Sequence, residues 1–220
     1  MKAVLFDFDG TLADTLPICF EAFQTVFKVF DRRDISTKEI KAMFGPSETG
    51  IIKQHLFHED KEKAINLYYD IYARKHAGLV EQNKEIVNLL QTIQKEKMKL
   101  AIVTGKARRS LDISLKALQL NGLFDLMITS DDVDQSKPDP EGINKALSLL
   151  GVDKEEALFV GDSDADMQAG KAAGVGTIGV QWLSTYQAEE FNIQPDYFYD
   201  CVRDFISLIK NGKLSSRSCI

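Results

Sequence analysis

The segment AVLFDFDGT, residues 3–11, decides the fold prediction for this chain. Its apolar residues lead without a break into two aspartates, Asp7 and Asp9, which are followed by Gly10. An apolar run that does not alternate with polar residues is typical of a strand buried on both faces of a parallel sheet. Residues 3–8 (AVLFDF) therefore predict a central strand whose carboxyl end carries two carboxylates.

Four later segments have the same character as the first. They are residues 100–104 (LAIVT), 126–129 (LMIT), 157–160 (ALFV) and 177–180 (TIGV). Apolar residues at helical spacing lie between them, as in the run from Ile143 to Leu150 that Gly151 ends. Strands that alternate with helices form right-handed βαβ units, so the pattern predicts an α/β fold with an open parallel sheet.

Residues 14–79 interrupt this alternation because they contain no convincing strand. Their aromatic residues recur every three or four positions, as at Phe20, Phe23, Phe27 and Phe30. Such a stripe is typical of a helix face packed into a core. We therefore expect a helical domain at 14–79, broken by a loop at 45–47 and inserted into an α/β core domain made of residues 1–13 and 80–220.

The composition is that of an ordinary globular protein, because 44% of the 220 residues are hydrophobic and 27% are charged. The length fits one domain with a sizeable insertion. The formal net charge of −6 gives the surface no general attraction for nucleic acid or anionic lipid, so we expect neither partner. The sequence shows no secretory signal and no apolar run of about 18 residues, which predicts a cytoplasmic location.

Polar residues that can carry chemistry stand at the ends of the predicted strands or in the segments that follow them. Asp7, Asp9, Gly10 and Thr11 follow the first strand, Thr104 and Gly105 the second, Lys137 the third, and Asp162, Ser163 and Asp166 the fourth. Ligands of open α/β sheets bind at the carboxyl ends of the strands. The sequence therefore predicts one polar site at this edge of the sheet.

Three aspartates of this set favour a magnesium site. Asp7 and Asp9 are two positions apart, so strand geometry turns both to the same side, and Asp162 arrives from another strand. Crowded carboxylates repel one another unless a cation compensates them. Hard oxygen donors with no His or Cys nearby favour Mg²⁺. A turn or helix-capping role is the alternative for each aspartate.

The remaining donors of the set suit a phosphate. The Lys137 ammonium, the Thr104 hydroxyl and the main-chain amides of Gly10 and Thr11 are groups that bind phosphate oxygens well. Lys137 or Thr104 alone is typical of a surface or turn residue. Their joint placement beside the carboxylates predicts phosphate binding next to a metal ion.

Four motifs resemble, in order, those of the haloacid-dehalogenase-like hydrolase superfamily. They are residues 7–15 (DFDGTLADT), 102–106 (IVTGK), 136–151 (SKPDPEGINKALSLLG) and 158–175 (LFVGDSDADMQAGKAAGV). The segment 14–79 resembles the small α-helical cap of the branch that holds phosphoglycolate phosphatases and β-phosphoglucomutases. The resemblance implies a Rossmann-like three-layer core, with a parallel sheet in the middle and an inserted helical cap.

The resemblance also assigns roles to the acidic residues. Asp7 would be the nucleophile that becomes an aspartyl phosphate. Asp9 would protonate the leaving alcohol and then activate water. Mg²⁺ would be held by the Asp7 side chain, the Asp9 carbonyl oxygen and Asp162, with Ser163 and Asp166 behind these ligands.

The phosphoryl contacts follow from the same resemblance. Thr104 and Lys137 would act in catalysis by holding the phosphoryl oxygens, together with the Gly105 amide and the turn at Gly10 and Thr11. In the cap, the basic segment 74–76 (RKH) and the loop 45–48 (GPSE) are the candidates for contacting the substrate.

These roles predict a Mg²⁺-dependent phosphatase that hydrolyses a small phosphorylated metabolite, similar to the phosphoglycolate phosphatases. Four alternatives stay open: phosphoryl transfer as in β-phosphoglucomutase, a pyrophosphatase, a phosphonatase with Lys53 or Lys75 as its Schiff-base lysine, and a catalytically silent protein that binds metal or phosphate. A haloacid dehalogenase is disfavoured because those enzymes lack the second aspartate, which is Asp9 here. Neither the physiological substrate nor the oligomeric state follows from the sequence.

Two other ligand-binding motifs are excluded by their context. Asp162, Asp164 and Asp166 imitate the start of an EF-hand loop, but Met167 stands where that loop requires glycine. The segment 174–179 (GVGTIG) matches GxGxxG, but it leads into a predicted strand instead of opening a helix. We therefore expect neither a calcium loop nor a dinucleotide site.

Overall fold

The computed structural model describes residues 1–211, so the tail at 213–220, which its composition predicts to be loose, lies outside the described residues. The described chain forms a six-stranded sheet in which all neighbouring strands are parallel. The strands are β1 (Ala3–Phe6), β2 (Lys99–Val103), β3 (Leu126–Ile128), β4 (Ala157–Gly161), β5 (Gly176–Val180) and β6 (Tyr197–Tyr199). The predicted α/β fold with an open parallel sheet is confirmed.

The strand order β3-β2-β1-β4-β5-β6 places β1 in the middle of the sheet. Ala3 of β1 lies opposite Lys99 of β2 on one side and opposite Ala157 of β4 on the other. The chain extends the sheet first to one side of β1 and then to the other, so the order reverses between β1 and β4. Ligands of open α/β sheets bind at such a reversal, where the carboxyl ends of the two strands meet.

The sequence pattern predicted the first five strands and missed the sixth. Each of the five predicted runs overlaps an observed strand to within two residues at either end. The sixth strand, Tyr197–Tyr199, is three residues long, lies at the edge of the sheet and is only partly buried. It lacks the long apolar run that marks a strand covered on both faces.

Between β1 and the next strand the chain forms helices, and residues 14–79 contain no strand. The helices are α1 (Leu16–Asp31), α2 (Thr37–Ala42), α3 (Glu48–His55) and α4 (Lys61–Leu79), and we call them the helical insertion. The predicted aromatic stripe packs α1 on α4, with the Phe23 and Tyr68 ring centroids 4.7 Å apart. The loop at 45–47 ends in Ser47, whose hydroxyl caps α3 by accepting a hydrogen bond from the Gly50 amide.

The remaining helices form the outer layers of the core. They are α5 (Lys84–Lys95), α6 (Arg108–Ala117), α7 (Glu141–Leu150), α8 (Asp164–Ala173) and α9 (Val202–Asn211). Val4 and Phe6 of β1 pack into the apolar cluster that includes α5 and α9, whereas Ala3 and Leu5 pack into the cluster that includes α7 and α8. The core therefore has three layers, as predicted. Across residues 1–211, every helix is too short or too polar to cross a membrane.

Candidate active site

The site lies where the carboxyl ends of β1 and β4 meet. Asp7 follows β1 and Asp162 follows β4, and both side chains are buried. Lys137 reaches the same edge from the loop before α7, with its Nζ 2.8 Å from Asp7 Oδ1 and 2.5 Å from Asp166 Oδ1. The structure thus brings together residues from three separate parts of the sequence.

Asp7, Asp162 and Asp166 form a buried acidic cluster. Each offers one carboxylate oxygen, and these three oxygens lie within 4.8 Å of one another. Asp7 Oδ1 accepts no hydrogen bond of good geometry from residues 1–211, although the Lys137 ammonium lies beside it. Three hard oxygen donors fit Mg²⁺, and one of them, the Asp7 carboxylate, has an oxygen without a hydrogen bond of good geometry. The residues present therefore suit the ion that the sequence predicts.

The protonation of this cluster reflects its burial. Burial raises the pKa of Asp7 to about 6, because the nearby Asp166 reinforces the desolvation and Lys137 offsets only part of it. Burial and the charges of Asp166 and Asp7 raise the pKa of Asp162 well above its usual range. Burial lowers the pKa of Lys137, but the carboxylates of Asp166 and Asp7 outweigh it and raise that pKa overall. Lys137 therefore stays charged, and one ammonium leaves the cluster with excess negative charge that a cation would neutralise.

Gly10 is required by the turn that follows β1. Its φ is +80°, and a Cβ placed on it would lie 2.2 Å from Asp162 Oδ2. The Gly10 amide donates to the Ala13 carbonyl, the Thr11 amide to the Phe8 carbonyl, and the Thr11 hydroxyl to Asp162 Oδ1 at 3.3 Å. Because both amides are already bonded within the turn, their role in holding phosphate stays a prediction.

The end of β2 contributes the Thr104 hydroxyl and the Gly105 backbone. Both residues line the cavity of the site, and their contacts with a phosphoryl group stay predictions. The Thr104 hydroxyl accepts a hydrogen bond from the Lys106 amide at 3.3 Å. A Cβ on Gly105 would lie 4.0 Å from the Gly45 carbonyl oxygen, so the loop of the helical insertion passes directly over this turn.

The helix-capping alternative for Asp162 does not describe this structure. The N-cap of α8 is Ser163, which forms a reciprocal capping box with Asp166. The carboxylate of Asp162 instead accepts hydrogen bonds from the Gln187 amide at 2.7 Å and from Thr11. The Asp166 carboxylate both completes the capping box and contributes to the acidic cluster, so it lies among the candidate metal ligands, whereas the sequence placed it behind them.

Asp9 is not part of the acidic cluster, although it lines the same cavity as Asp7 and Lys137. Its carboxylate contacts the Lys106 ammonium at 3.0 and 3.2 Å and accepts a short hydrogen bond from the Thr15 hydroxyl. The sequence placed Lys106 inside a motif but gave it no function, because nothing in the local pattern shows what its side chain meets. The proposed contribution of Asp9 to metal binding runs through its carbonyl oxygen and stays a prediction.

A cavity of about 400 Å³ separates the site from the helical insertion. Its floor includes Asp7, Asp9 and Lys137, and its roof is formed by residues of the insertion, namely Leu16, Cys19, Phe23, Lys41, Phe44, Gly45, Pro46, Glu48 and Ile51. The predicted loop at 45–48 therefore reaches the site through Gly45, Pro46 and Glu48.

The basic segment 74–76 does not reach the cavity, although the sequence made it a candidate for substrate contact. Lys75 pairs with Glu21 at 2.6 Å on the outside, and Arg74 donates to the Asp70 carbonyl of its own helix. His76 is buried with neither ring nitrogen hydrogen-bonded to residues 1–211. Lys53 is exposed on α3 and, like Lys75, does not line the cavity, so neither of the two lysines named for a phosphonatase reaches the site.

Comparisons with known proteins agree with this geometry. The family of haloacid dehalogenase-like hydrolases matches residues 4–180. Pyrophosphatase PpaX of Bacillus cereus (strain AH820) is 32% identical over 212 residues, which cover 96% of this chain and 97% of the relative. CbbY from Rhodobacter sphaeroides in complex with phosphate has a TM-score of 0.80 at 21% identity, over 93% of this chain and 96% of that one. A predicted phosphoglycolate phosphatase from Haemophilus somnus 129pt has a TM-score of 0.81 at 21% identity, over 94% and 97%.

The two solved structures share the fold over nearly the whole of both chains. The family match spans β1 to β5 and includes every residue of the acidic cluster as well as Lys137. The resemblance stated from the four motifs is thereby confirmed. The chain belongs to the haloacid dehalogenase-like hydrolase family and is a hydrolase of that family.

Proposed function

We propose that this protein is a Mg²⁺-dependent phosphatase that hydrolyses a small phosphorylated metabolite through an aspartyl phosphate. The observation that carries the proposal is the buried cluster of Asp7, Asp162 and Asp166 with the Lys137 ammonium against it. Carboxylates that bind a cation, next to an ammonium that binds an anion, match the charges of a metal-phosphate pair. Mg²⁺ bound there would neutralise the negative charge of the phosphoryl group as it is transferred.

Two steps follow from the roles that the family resemblance implies for Asp7 and Asp9. A carboxylate oxygen of Asp7 attacks phosphorus, the bond from phosphorus to the leaving oxygen breaks, and Asp9 gives that oxygen a proton. Asp9 then takes a proton from water, whose oxygen attacks the phosphorus of the aspartyl phosphate. Inorganic phosphate leaves, and the Asp7 carboxylate is restored. Lys137 and the Thr104 hydroxyl hold the phosphoryl oxygens during both steps.

We also propose that residues 14–79 act as a cap over the core formed by 1–13 and 80–220. The cavity of about 400 Å³ between them is large enough for a small metabolite and is lined on the cap side mainly by apolar atoms such as those of Phe23 and Phe44. Cap closure would exclude bulk water from the aspartyl phosphate. The cytoplasmic location and the absence of nucleic-acid and membrane partners stay predictions from composition.

Initial rates with a panel of phosphorylated compounds test this function. With Mg²⁺ present, we expect release of inorganic phosphate from p-nitrophenyl phosphate and faster release from at least one small metabolite in a panel containing 2-phosphoglycolate, pyrophosphate, nucleoside monophosphates and sugar phosphates. Conversion of β-glucose 1-phosphate into glucose 6-phosphate, dependent on a catalytic amount of a sugar bisphosphate, would identify a mutase instead. A protein that releases phosphate from no compound of the panel would contradict the proposal.

Pyrophosphate is a second candidate substrate because of Lys41. Its ammonium lines the cavity and donates to the carbonyl oxygens of Tyr186 and Gln187 at 3.3 and 3.5 Å, and residues 1–211 offer it no carboxylate partner. Both contacts are with neutral carbonyl oxygens. An anionic group of a substrate could replace them and form an ion pair with the Lys41 ammonium. The relative from Bacillus cereus is named a pyrophosphatase, and it aligns over 96% of this chain.

Replacing Lys41 by Met tests this contact. A charge-assisted hydrogen bond is worth about 1.5–3 kcal/mol, so we expect KM for pyrophosphate and 2-phosphoglycolate to rise by about 10- to 100-fold. The KM for p-nitrophenyl phosphate, which has no second anionic group, should change by less than about threefold. Lys38→Met, at an exposed position of the same helix, is the matched control. Equal changes in KM for all three substrates would show that Lys41 does not recognise the second charge.

A further inference from the structure

Lys106 is a buried lysine that joins two carboxylates from different parts of the chain. Its side chain has no solvent exposure. Its Nζ lies 3.0 Å from Asp9 Oδ1 in the core and 3.4 Å from Glu48 Oε1 in the helical insertion. The ring of Tyr72 covers a third side, with its centroid 4.5 Å from the ammonium. The ammonium is thus held from three directions next to the proposed acid and base.

Glu48 fixes the other end of this arrangement. It stands in the first turn of α3, and its carboxylate accepts hydrogen bonds from the Ala107 amide at 2.9 Å and the Ser110 hydroxyl at 2.5 Å. Those donors lie at the start of α6, a helix whose own N-cap residue makes no side-chain hydrogen bond. Glu48 therefore caps a core helix from the insertion, and the positive end of the α6 dipole favours its negative charge.

The Lys106 ammonium is enclosed by charged and aromatic neighbours from both the core and the helical insertion. The hydroxyls of Tyr72 and Ser114 are 2.7 Å apart, which ties α4 to α6 beside the same ammonium. A charged lysine with fixed neighbours can hold a carboxylate in one orientation, because moving it would break buried ion pairs.

We propose that Lys106 is the positioning residue for Asp9 and that Glu48 holds Lys106 in place, so that the Asp9 carboxylate is oriented for proton transfer when the helical insertion is docked on the core. This inference rests on the proposed function, because it assigns a partner to the proposed acid and base. It links closure over the substrate to the readiness of Asp9. An open insertion would withdraw Glu48 and leave Lys106 free to move.

Comparing two leaving groups distinguishes a loss of Asp9 positioning from a general loss of active-site structure. The alkoxide of glycerol 2-phosphate needs a proton from Asp9 as it departs, whereas p-nitrophenolate leaves without one. The value of kcat/KM covers the steps up to formation of the aspartyl phosphate. For Lys106→Met we expect kcat/KM to fall by about 100-fold or more with glycerol 2-phosphate and by less than about 10-fold with p-nitrophenyl phosphate. Lys171→Met, at an exposed position on α8, should leave both values unchanged.

Glu48→Gln provides a second test that keeps the size of the side chain. It should fold, because an amide oxygen can still accept from the Ala107 amide, and it should show the same selectivity for the alkyl substrate with a smaller loss. If circular dichroism shows that Lys106→Met is unfolded, the test rests on Glu48→Gln alone. The quantity compared is then its loss of kcat/KM with glycerol 2-phosphate against its loss with p-nitrophenyl phosphate. Equal losses with both substrates in the folded variants would overturn the inference while leaving the phosphatase proposal intact. A wild-type protein that releases phosphate neither from these two substrates nor from any compound of the metabolite panel would overturn both.

Discussion

Asp7→Asn should abolish turnover of p-nitrophenyl phosphate, with kcat at least about 10⁴-fold below wild type. An amide oxygen is too weak a nucleophile to form the acyl phosphate, and losses of this size accompany removal of a nucleophile in other enzymes. The substitution keeps the shape of the side chain. It also removes one of three crowded carboxylates, while Lys137 keeps its 2.5 Å contact with Asp166. The fold should therefore survive.

The measurement is single-turnover and steady-state release of p-nitrophenolate, with thermal unfolding recorded for each protein. Asp112→Asn, at an exposed position on α6, is the matched control and should retain wild-type rates. Because burial raises the pKa of Asp7, the metal-free variant should unfold at the same temperature as wild type or higher. A variant that keeps more than about one part in a thousand of the wild-type rate would rule out Asp7 as the nucleophile.

Removal of the metal ion should have the second large effect. Chelation with EDTA should eliminate activity, and added Mg²⁺ should restore it, because three buried carboxylates would otherwise repel the phosphate dianion. The same ion should stabilise the fold. At a concentration about 100 times Kd it contributes about 2.7 kcal/mol, which corresponds to a rise in Tm of about 5–10 °C for a chain of this size.

The stabilisation should depend on pH in a defined direction. The pKa of Asp7 is raised to about 6, so the folded, metal-free protein binds a proton there that the unfolded chain has already lost. Asp7 therefore contributes more to the stability of the metal-free protein at pH 5 than at pH 7.5. At the lower pH, protons also compete with Mg²⁺ for the Asp7 carboxylate. The Mg²⁺-induced rise in Tm should accordingly be larger at pH 7.5 than at pH 5.

Asp162→Asn connects the stability and activity measurements. This variant should lose most of the Mg²⁺-induced rise in Tm along with its activity, because it lacks one of the three ligand carboxylates. It should nevertheless fold, since an amide oxygen can still accept from the Gln187 amide. Activity in EDTA, or a full Mg²⁺ response in Asp162→Asn, would contradict the magnesium site.

Two residues of the acidic cluster, Asp7 and Asp162, could be found from the sequence because each follows a strand that is marked by its own apolar run, whereas Asp166 was predicted to lie behind the metal ligands. Asp7 follows β1 and Asp162 follows β4, and parallel strands necessarily bring their carboxyl ends to one edge. Lys137 lies in a loop, but its motif placed it at the same edge. The short edge strand Tyr197–Tyr199 was missed because a partly buried strand of three residues has no such run.

Local patterns could not identify the partners of Asp9. Its contacts with Lys106, and those of Lys106 with Glu48, join positions separated by 97 and 58 residues and depend on how α3 packs over the start of α6. The basic segment 74–76 was a better candidate on charge alone, but the helical phase turns Arg74 and Lys75 outward. Which lysines reach the cavity is set by the docking of one helix on another.

The order of apolar runs and the residues that follow them therefore specify the sheet, the family and the chemistry at the sheet edge, since hydrophobic periodicity and strand geometry act over a few residues. Docking of the helical insertion on the core specifies which side chains line the cavity and which side chains surround Asp9. It positions Lys41 and Glu48 over the cavity and buries Lys106 against Asp9, through contacts between elements whose relative orientation no local pattern encodes.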